Sequence, residues 1–303
     1  MPQVKYKIVF FLISTLFILN SCKTSFNKIG DKNANYIPYY LTVYEADSLY
    51  NAGNYKATYY LLDSLFKKYE PIELVFTDEY SKYVECKSKI VGFKNTNKDI
   101  KKLTKIYGKN YLMKEEIDSV FLEIIKTNKI SDNRLKKWRS SYLKKINYAV
   151  KDNLLKVYEY DQKYRNTNDD EYRKNFANQS YLDSLNRNKL NYVFENYGFP
   201  NEQLVGNYTI EKPLSPATLS VIIKHITIAD YEKYYKNKLL EFIKKGTCHP
   251  MFYAMIDDRV RVAKGEKCMY GFYCETKDFL SEINKNRKQL GLKKLKPQIC
   301  LLE

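Results

Sequence analysis

The chain sets 52 Lys and Arg against 35 Asp and Glu over 303 residues, a formal charge of +17, with only 10 Gly and 8 Pro. A length of this order holds one or two domains, and so little Gly and Pro excludes collagen-like, low-complexity and strand-dominated chains in favour of a mainly α protein. The excess of positive charge is spread along the sequence without a block of like charges, which marks a solvated basic surface rather than a nucleic-acid-binding tail.

In chain order, Lys5 and Lys7 come first, followed by a hydrophobic run of 12 residues from Ile8 to Leu19 and then Asn20-Ser21-Cys22. A membrane-spanning helix needs about 20 apolar residues, so the run is too short for one and fits a removable segment, either an ordinary cleaved signal or a lipoprotein signal. The basic start, short apolar stretch and terminal cysteine resemble the signal peptide of bacterial (Bacteroidetes-type) lipoproteins. That resemblance implies a signal over residues 1–21, palmitate-type acylation of Cys22 as the mature N-terminus, and a membrane anchor. Residues 22–38 are polar and read as the lipidated tether. Lys23 to Lys28 contain no acidic cluster, which favours the periplasmic face of the outer membrane over the cell surface. An exported protein meets anionic lipids and envelope polymers, not nucleic acid.

Residues 39–158 read as helical hairpins. Tyr40–Ala52 and Tyr55–Lys68 form the clearest pair, joined at Gly53-Asn54 and stopped by Pro71. Leu41, Tyr44 and Leu49 on one, with Tyr59, Leu62, Leu65 and Phe66 on the other, supply apolar faces at helical spacing. Gly53-Asn54-Tyr55, Ala57 and Pro71 resemble a tetratricopeptide hairpin, which implies a helical repeat presenting a surface to an envelope protein partner. A second pair is expected over Asp78–Phe93 and Asp99–Tyr107, then helices over Glu115–Lys126 and Asp132–Val150, with Trp138 in their core.

Residues 159–303 form the expected second domain. Its markers are Asp161-Gln162 with Arg165, Tyr197-Gly198-Phe199-Pro200, Val205-Gly206, Ile222-Ile223-Lys224-His225, Met255 to Val260, Gly265, Tyr270-Gly271, Arg287 and Gly291-Leu292. In order and spacing, residues 160–295 resemble the uncharacterised domain of unknown function family 6624, which implies a domain and no known reaction. Phe272-Tyr273 stand where that family has Thr-Gln. Helices are expected over Asn178–Asn196, Pro216–Ile226, Asp230–Lys245 and Pro250–Lys264, with a small β element at the alternating, aromatic-rich Met269–Cys274.

His225, after an apolar run, is the first residue to weigh for chemistry, as general base or as a packed, hydrogen-bonded histidine. Asp258 and Arg259 offer a carboxylate and a guanidinium, adjacent and so on different faces of a helix. They make either a catalytic group with His225 or structural ion pairs, Asp161 with Arg259 or Arg165 with Asp258. Asp161, Arg165, His225, Asp258, Arg259 and Tyr270 together are the candidate polar ligand site. No nucleophile elbow, metal-protease or phosphate-loop motif is present, and no cofactor is implied. Cys248, Cys268, Cys274 and Cys300 are candidates for disulfides in an oxidising compartment, three pairings being open, while Cys86 reads as a small core residue. A zinc set of Cys248, His249, Cys268 and Cys274 has looser spacing than zinc sites use, so no metal is expected. The whole reads as a membrane-anchored binding or scaffolding protein of the cell envelope, the alternative being an envelope enzyme, a hydrolase using His225 with Asp258 and Arg259.

Overall fold

A computed structural model describes residues 26–74, 77–165, 167–207, 210–212, 214–274 and 279–296. The expected signal, Cys22 and Cys300 lie outside the described residues. The fold is mainly α. Its helices are α1 (Ile37–Asn51), α2 (Tyr55–Phe66), α3 (Glu79–Val91), α4 (Asn97–Lys105), α5 (Ser119–Thr127), α6 (Asp132–Leu143) and α7 (Tyr148–Gln162). Then follow α8 (Asp169–Lys174), α9 (Phe176–Asn196), the short α10 (Glu202–Val205) and α11 (Pro216–Lys224). The helix α12 begins at Ile228–Asp230, widens into a π turn at Tyr231–Tyr235 and continues through Lys236–Lys244; α13 (Pro250–Ala263) and α14 (Leu280–Leu290) complete the set.

Small polar side chains start these helices by accepting from orphan backbone amides: Asn54 from Ala57, Ser131 from Arg134, Asn168 from Glu171 and Ser215 from Thr218. The same device divides the single helix expected over Asp132–Val150. Asn147 caps a new helix through Val150 N at 3.0 Å, while its own amide donates to Leu204 O at 2.8 Å. Across the first hairpin, Gly53 sits at φ +76°, which ends α1 sharply and sends α2 back along it.

One continuous apolar core runs from Ala34 to Leu292. At its centre are Tyr36, Tyr39 and Tyr40, each wholly buried. Tyr40 donates its hydroxyl to Cys248 O at 3.1 Å, and Tyr36 N donates to Lys244 O at 2.9 Å, so the start of α1 lies against the turn after α12. The approach is close: a Cβ on Gly246 would sit 2.8 Å from the Tyr36 ring. Residues 26–38 are therefore not a free tether. Asn27 bridges to Tyr69 through Asn27 N to Lys68 O and Glu70 N to Asn27 O, both 2.9 Å, and Gly30 N reaches Lys245 O at 2.8 Å.

The expected β element is also corrected. Met269–Cys274 is a bend closed by a Cys268–Cys274 disulfide, with Cα atoms 6.3 Å apart, and among the described residues the Asn27–Tyr69 bridge is the sole β feature. Cys248 and Cys86 are free and buried. Among the described residues no helix is long and apolar enough to cross a membrane.

Glu79, at the start of α3, is 1% exposed. Its carboxylate accepts from Tyr39 Oη (2.5 Å), Glu73 N and Leu74 N (both 2.8 Å) and Thr77 Oγ1 (3.0 Å). A Gln side chain would turn an amide NH₂ toward those donors. Glu79→Gln is expected to cost about 3 kcal/mol in urea unfolding, with the slope unchanged, because buried donors lose a charged acceptor. The exposed Glu45→Gln serves as control and should stay within about 0.5 kcal/mol of wild type.

Candidate functional site

The end of α7, the middle of α9 and the residues after α11 converge on His225. Its Nδ1 lies 2.7 and 2.8 Å from the two carboxylate oxygens of Asp161, which is 3% exposed. Asp161 also accepts from Gln162 Nε2 (2.6 Å) and Arg165 Nη1 (3.2 Å). Arg165 in turn grips Asp183 with both terminal nitrogens, at 2.9 and 2.6 Å, a two-pronged geometry that fixes the guanidinium plane. Arg187 pairs with Asp230 at 2.7 Å on the other side of a cavity of about 30 Å³. The Asn186 Oδ1, buried and without a partner among the described residues, belongs to a residue lining that same cavity. The side chain of His225 is 32% exposed, and its Nε2 has no partner among the described residues.

Three of the sequence candidates, Asp161, Arg165 and His225, thus meet; the other three do not join them. Asp258, wholly buried, accepts from Met269 N (2.6 Å), Tyr270 N (3.0 Å) and Phe272 N (2.8 Å) and so holds the disulfide-closed loop. Burial raises its carboxyl above the ordinary range, and those amides oppose the rise. Arg259 donates from Nη2 to Ile226 O at 2.6 Å, and Tyr270 packs edge-on against Tyr253. The pairs Asp161–Arg259 and Arg165–Asp258 do not form, because Asp183 and the loop amides are closer partners. A catalytic group of His225, Asp258 and Arg259 is not assembled.

A larger cavity, of about 100 Å³, lies where the connection after α2, the α9–α10 turn, α11 and the Gly246–His249 turn meet. Ile72, Leu74, Phe199, Val205, Leu219 and Phe252 give it an apolar wall, with Glu73, Glu202 and His249 among the polar residues on it. Both Glu73 oxygens are occupied, one by Tyr80 N (2.7 Å), the other by Ser81 Oγ and by Lys109 Nζ (3.2 Å). His249 accepts at Nδ1 from Met251 N (3.1 Å), which places its proton on Nε2, 3.0 Å from Tyr44 Oη. Burial holds that imidazole down at about 4, neutral at ordinary pH.

Glu202 differs. Its carboxylate makes no hydrogen bond or ion pair among the described residues. Burial pushes it up to about 7; Lys109 opposes this, and Asp78, Glu73 and Glu79 add to it. Sequence reasoning passed over Glu202, because an acid at the first position of a short helix looks like an ordinary solvated residue. His249 was weighed only in a zinc set, which the Cys268–Cys274 bond dissolves; among the described residues no cluster of His, Cys, Asp or Glu is placed to hold a metal. No family model matches the chain, and no curated protein or solved structure matches it either.

Two outcomes test these assignments. Asp258→Ala removes the acceptor for the loop amides and is expected to cost about 3 kcal/mol and to speed reduction of Cys268–Cys274 by dithiothreitol, whereas His225→Gln should cost under about 1 kcal/mol. At Glu202 the folded state binds more protons than the unfolded chain between about pH 4.5 and 7, so stability falls as pH rises through that window. Glu202→Gln should therefore gain stability relative to wild type as pH is raised from about 5 to about 8, read as a widening difference in denaturation midpoint. His249 contributes the opposite slope between about 4 and 6.5, and it cancels in the comparison because both proteins carry it.

Proposed function

We propose that this chain is a lipid-anchored binding protein of the cell envelope, held through acylated Cys22 on the periplasmic face of the outer membrane, with residues 160–295 a member of the uncharacterised 6624 family. The observation that carries a binding role is the preformed cavity of about 100 Å³, apolar over most of its wall and bearing one carboxylate, Glu202, with no hydrogen-bond or ion-pair partner among the described residues. Small-molecule sites have this make-up, a largely apolar hollow with few polar groups that orient the ligand. The residues best suited to chemistry by type, Asp258 and Arg259, are instead engaged with backbone groups that hold the fold.

One observation favours a second reading. Asp161 orients the His225 ring and leaves Nε2 without a partner, the arrangement of a general base acting on water. A hydrolase on that dyad would have to activate water, because the neighbouring Thr227 hydroxyl donates to Asp230 at 2.5 Å, and the cavity beside His225, about 30 Å³, has far less room for a substrate than the apolar one of about 100 Å³. The binding reading is therefore preferred.

The anchor is tested by growing cells with an alkyne analogue of palmitate. Wild type should take up label and stay with the membrane pellet, and Cys22→Ala should lose the label and move to the soluble fraction. Label persisting in Cys22→Ala, or absent from wild type, refutes the anchor.

A further inference from the structure

The wall of the larger cavity carries a charge opposite to that of the chain as a whole. The protein is at +17, yet the two charged side chains on this wall are the acids Glu73 and Glu202, and Asp78 and Glu79 lie near enough to raise the proton affinity of both, with Lys109 opposing. Lys109 is paired with other members of this group, 2.6 Å from Asp78 and 3.2 Å from Glu73. Glu79 and Glu73 are saturated by hydrogen bonds from the protein. Glu202 is the carboxylate left over, and it lines the cavity.

We propose that the cavity binds a small amphipathic amine, an apolar body of about six to eight heavy atoms carrying one protonated nitrogen that pairs with Glu202. The proposal rests on the binding reading given above and names its ligand class. Size follows from volume, since an apolar cavity of about 150 Å³ holds a benzene ring and this one has about 100 Å³ and opens to solvent. Charge follows from the acids: an anionic head would meet Glu202 with Glu73 and Glu79 behind it, and a neutral ligand would bury Glu202 further without a counter-ion. His249 adds no positive charge, because its imidazole is neutral and its Nε2 proton faces Tyr44.

The test is calorimetric titration of the full chain in lipid nanodiscs, with empty nanodiscs subtracted, using n-hexylamine, n-hexanol and hexanoate at pH 8. Hexylamine should bind about ten-fold more tightly than hexanol, the worth of one partly buried charge pair, and hexanoate should not bind. In Glu202→Gln the preference for the amine should vanish while hexanol affinity stays as it was, and the cavity-filling variant Leu219→Phe should weaken both. Lowering the pH to about 5.5 should shrink the preference as Glu202 takes up a proton, Asp78, Glu73, Glu79 and Lys109 being the charged groups around it. Equal or tighter binding of hexanoate, or an amine preference that survives Glu202→Gln, overturns the amine assignment and leaves a binding cavity. If none of the three probes binds, both the assignment and the cavity as a binding site fall.

Discussion

A buried phenol hydroxyl must find an acceptor, and in this chain of 30 tyrosines that requirement sets the architecture. Tyr36, Tyr39 and Tyr40 enter the core together at the start of α1, and each hydroxyl reaches a different part of the chain. Tyr36 donates toward Asn27 O and Glu70 O (3.0 and 3.1 Å), Tyr39 to Glu79, and Tyr40 to Cys248 O. Burial drives the phenol of Tyr40 well above its ordinary range, so it remains a donor at any pH the fold survives. These three contacts hold the segment before α1, the connection between α2 and α3, and the turn after α12. The same three stretches supply Ile29, Ile72 to Leu74 and Gly246 to His249 to the cavity wall. The cavity is thus framed on three sides by the stretches that satisfy the tyrosines of one helix.

Acids buried within this frame are treated in two ways. Asp258 is enclosed by backbone amides, and Glu79 by two amides and two hydroxyls, a solution that makes each acid a local organiser of its loop. Asp161 is enclosed by side chains instead, Arg165, Gln162 and His225, which makes it the centre of a network linking α7, α9 and the end of α11. The difference decides where function can reside. An acid held by amides cannot move its charge, whereas one held by an imidazole can orient that ring.

Most helices were legible in the sequence because apolar spacing and capping residues agreed: Asn54, Ser131 and Ser215 each sit where a helix begins. What was not legible depended on partners far away in sequence. The Met269–Cys274 stretch alternates like a strand, but a disulfide and the Asp258 carboxylate bend it, and neither is visible in a period of two. Residues 26–38 are polar in composition, and only the depth of Tyr36 draws them onto the core. The α14 helix, Leu280–Leu290, went unread because it buries only Ile283, Arg287 and Leu290. At the site, the structure brings His225, Asp161 and Arg165 together but not in the expected pairs, since Asp183, the residue that claims Arg165, lies outside the residues weighed as its partners.

Glu202 shows why a site can hide from sequence. Half-burying a carboxylate without a partner carries a desolvation cost, and a glutamine would fill the same volume without a charge to desolvate. The fold contains a cation that acts on it, but Lys109 is paired with Asp78 and Glu73. The raised proton affinity of Glu202 is the mark of that unrelieved charge, and the apolar wall opposite offers nothing to share it. A ligand carrying its own positive charge would supply what the protein withholds. A polar group left this way at a cavity is the pattern expected when it serves a partner rather than the fold.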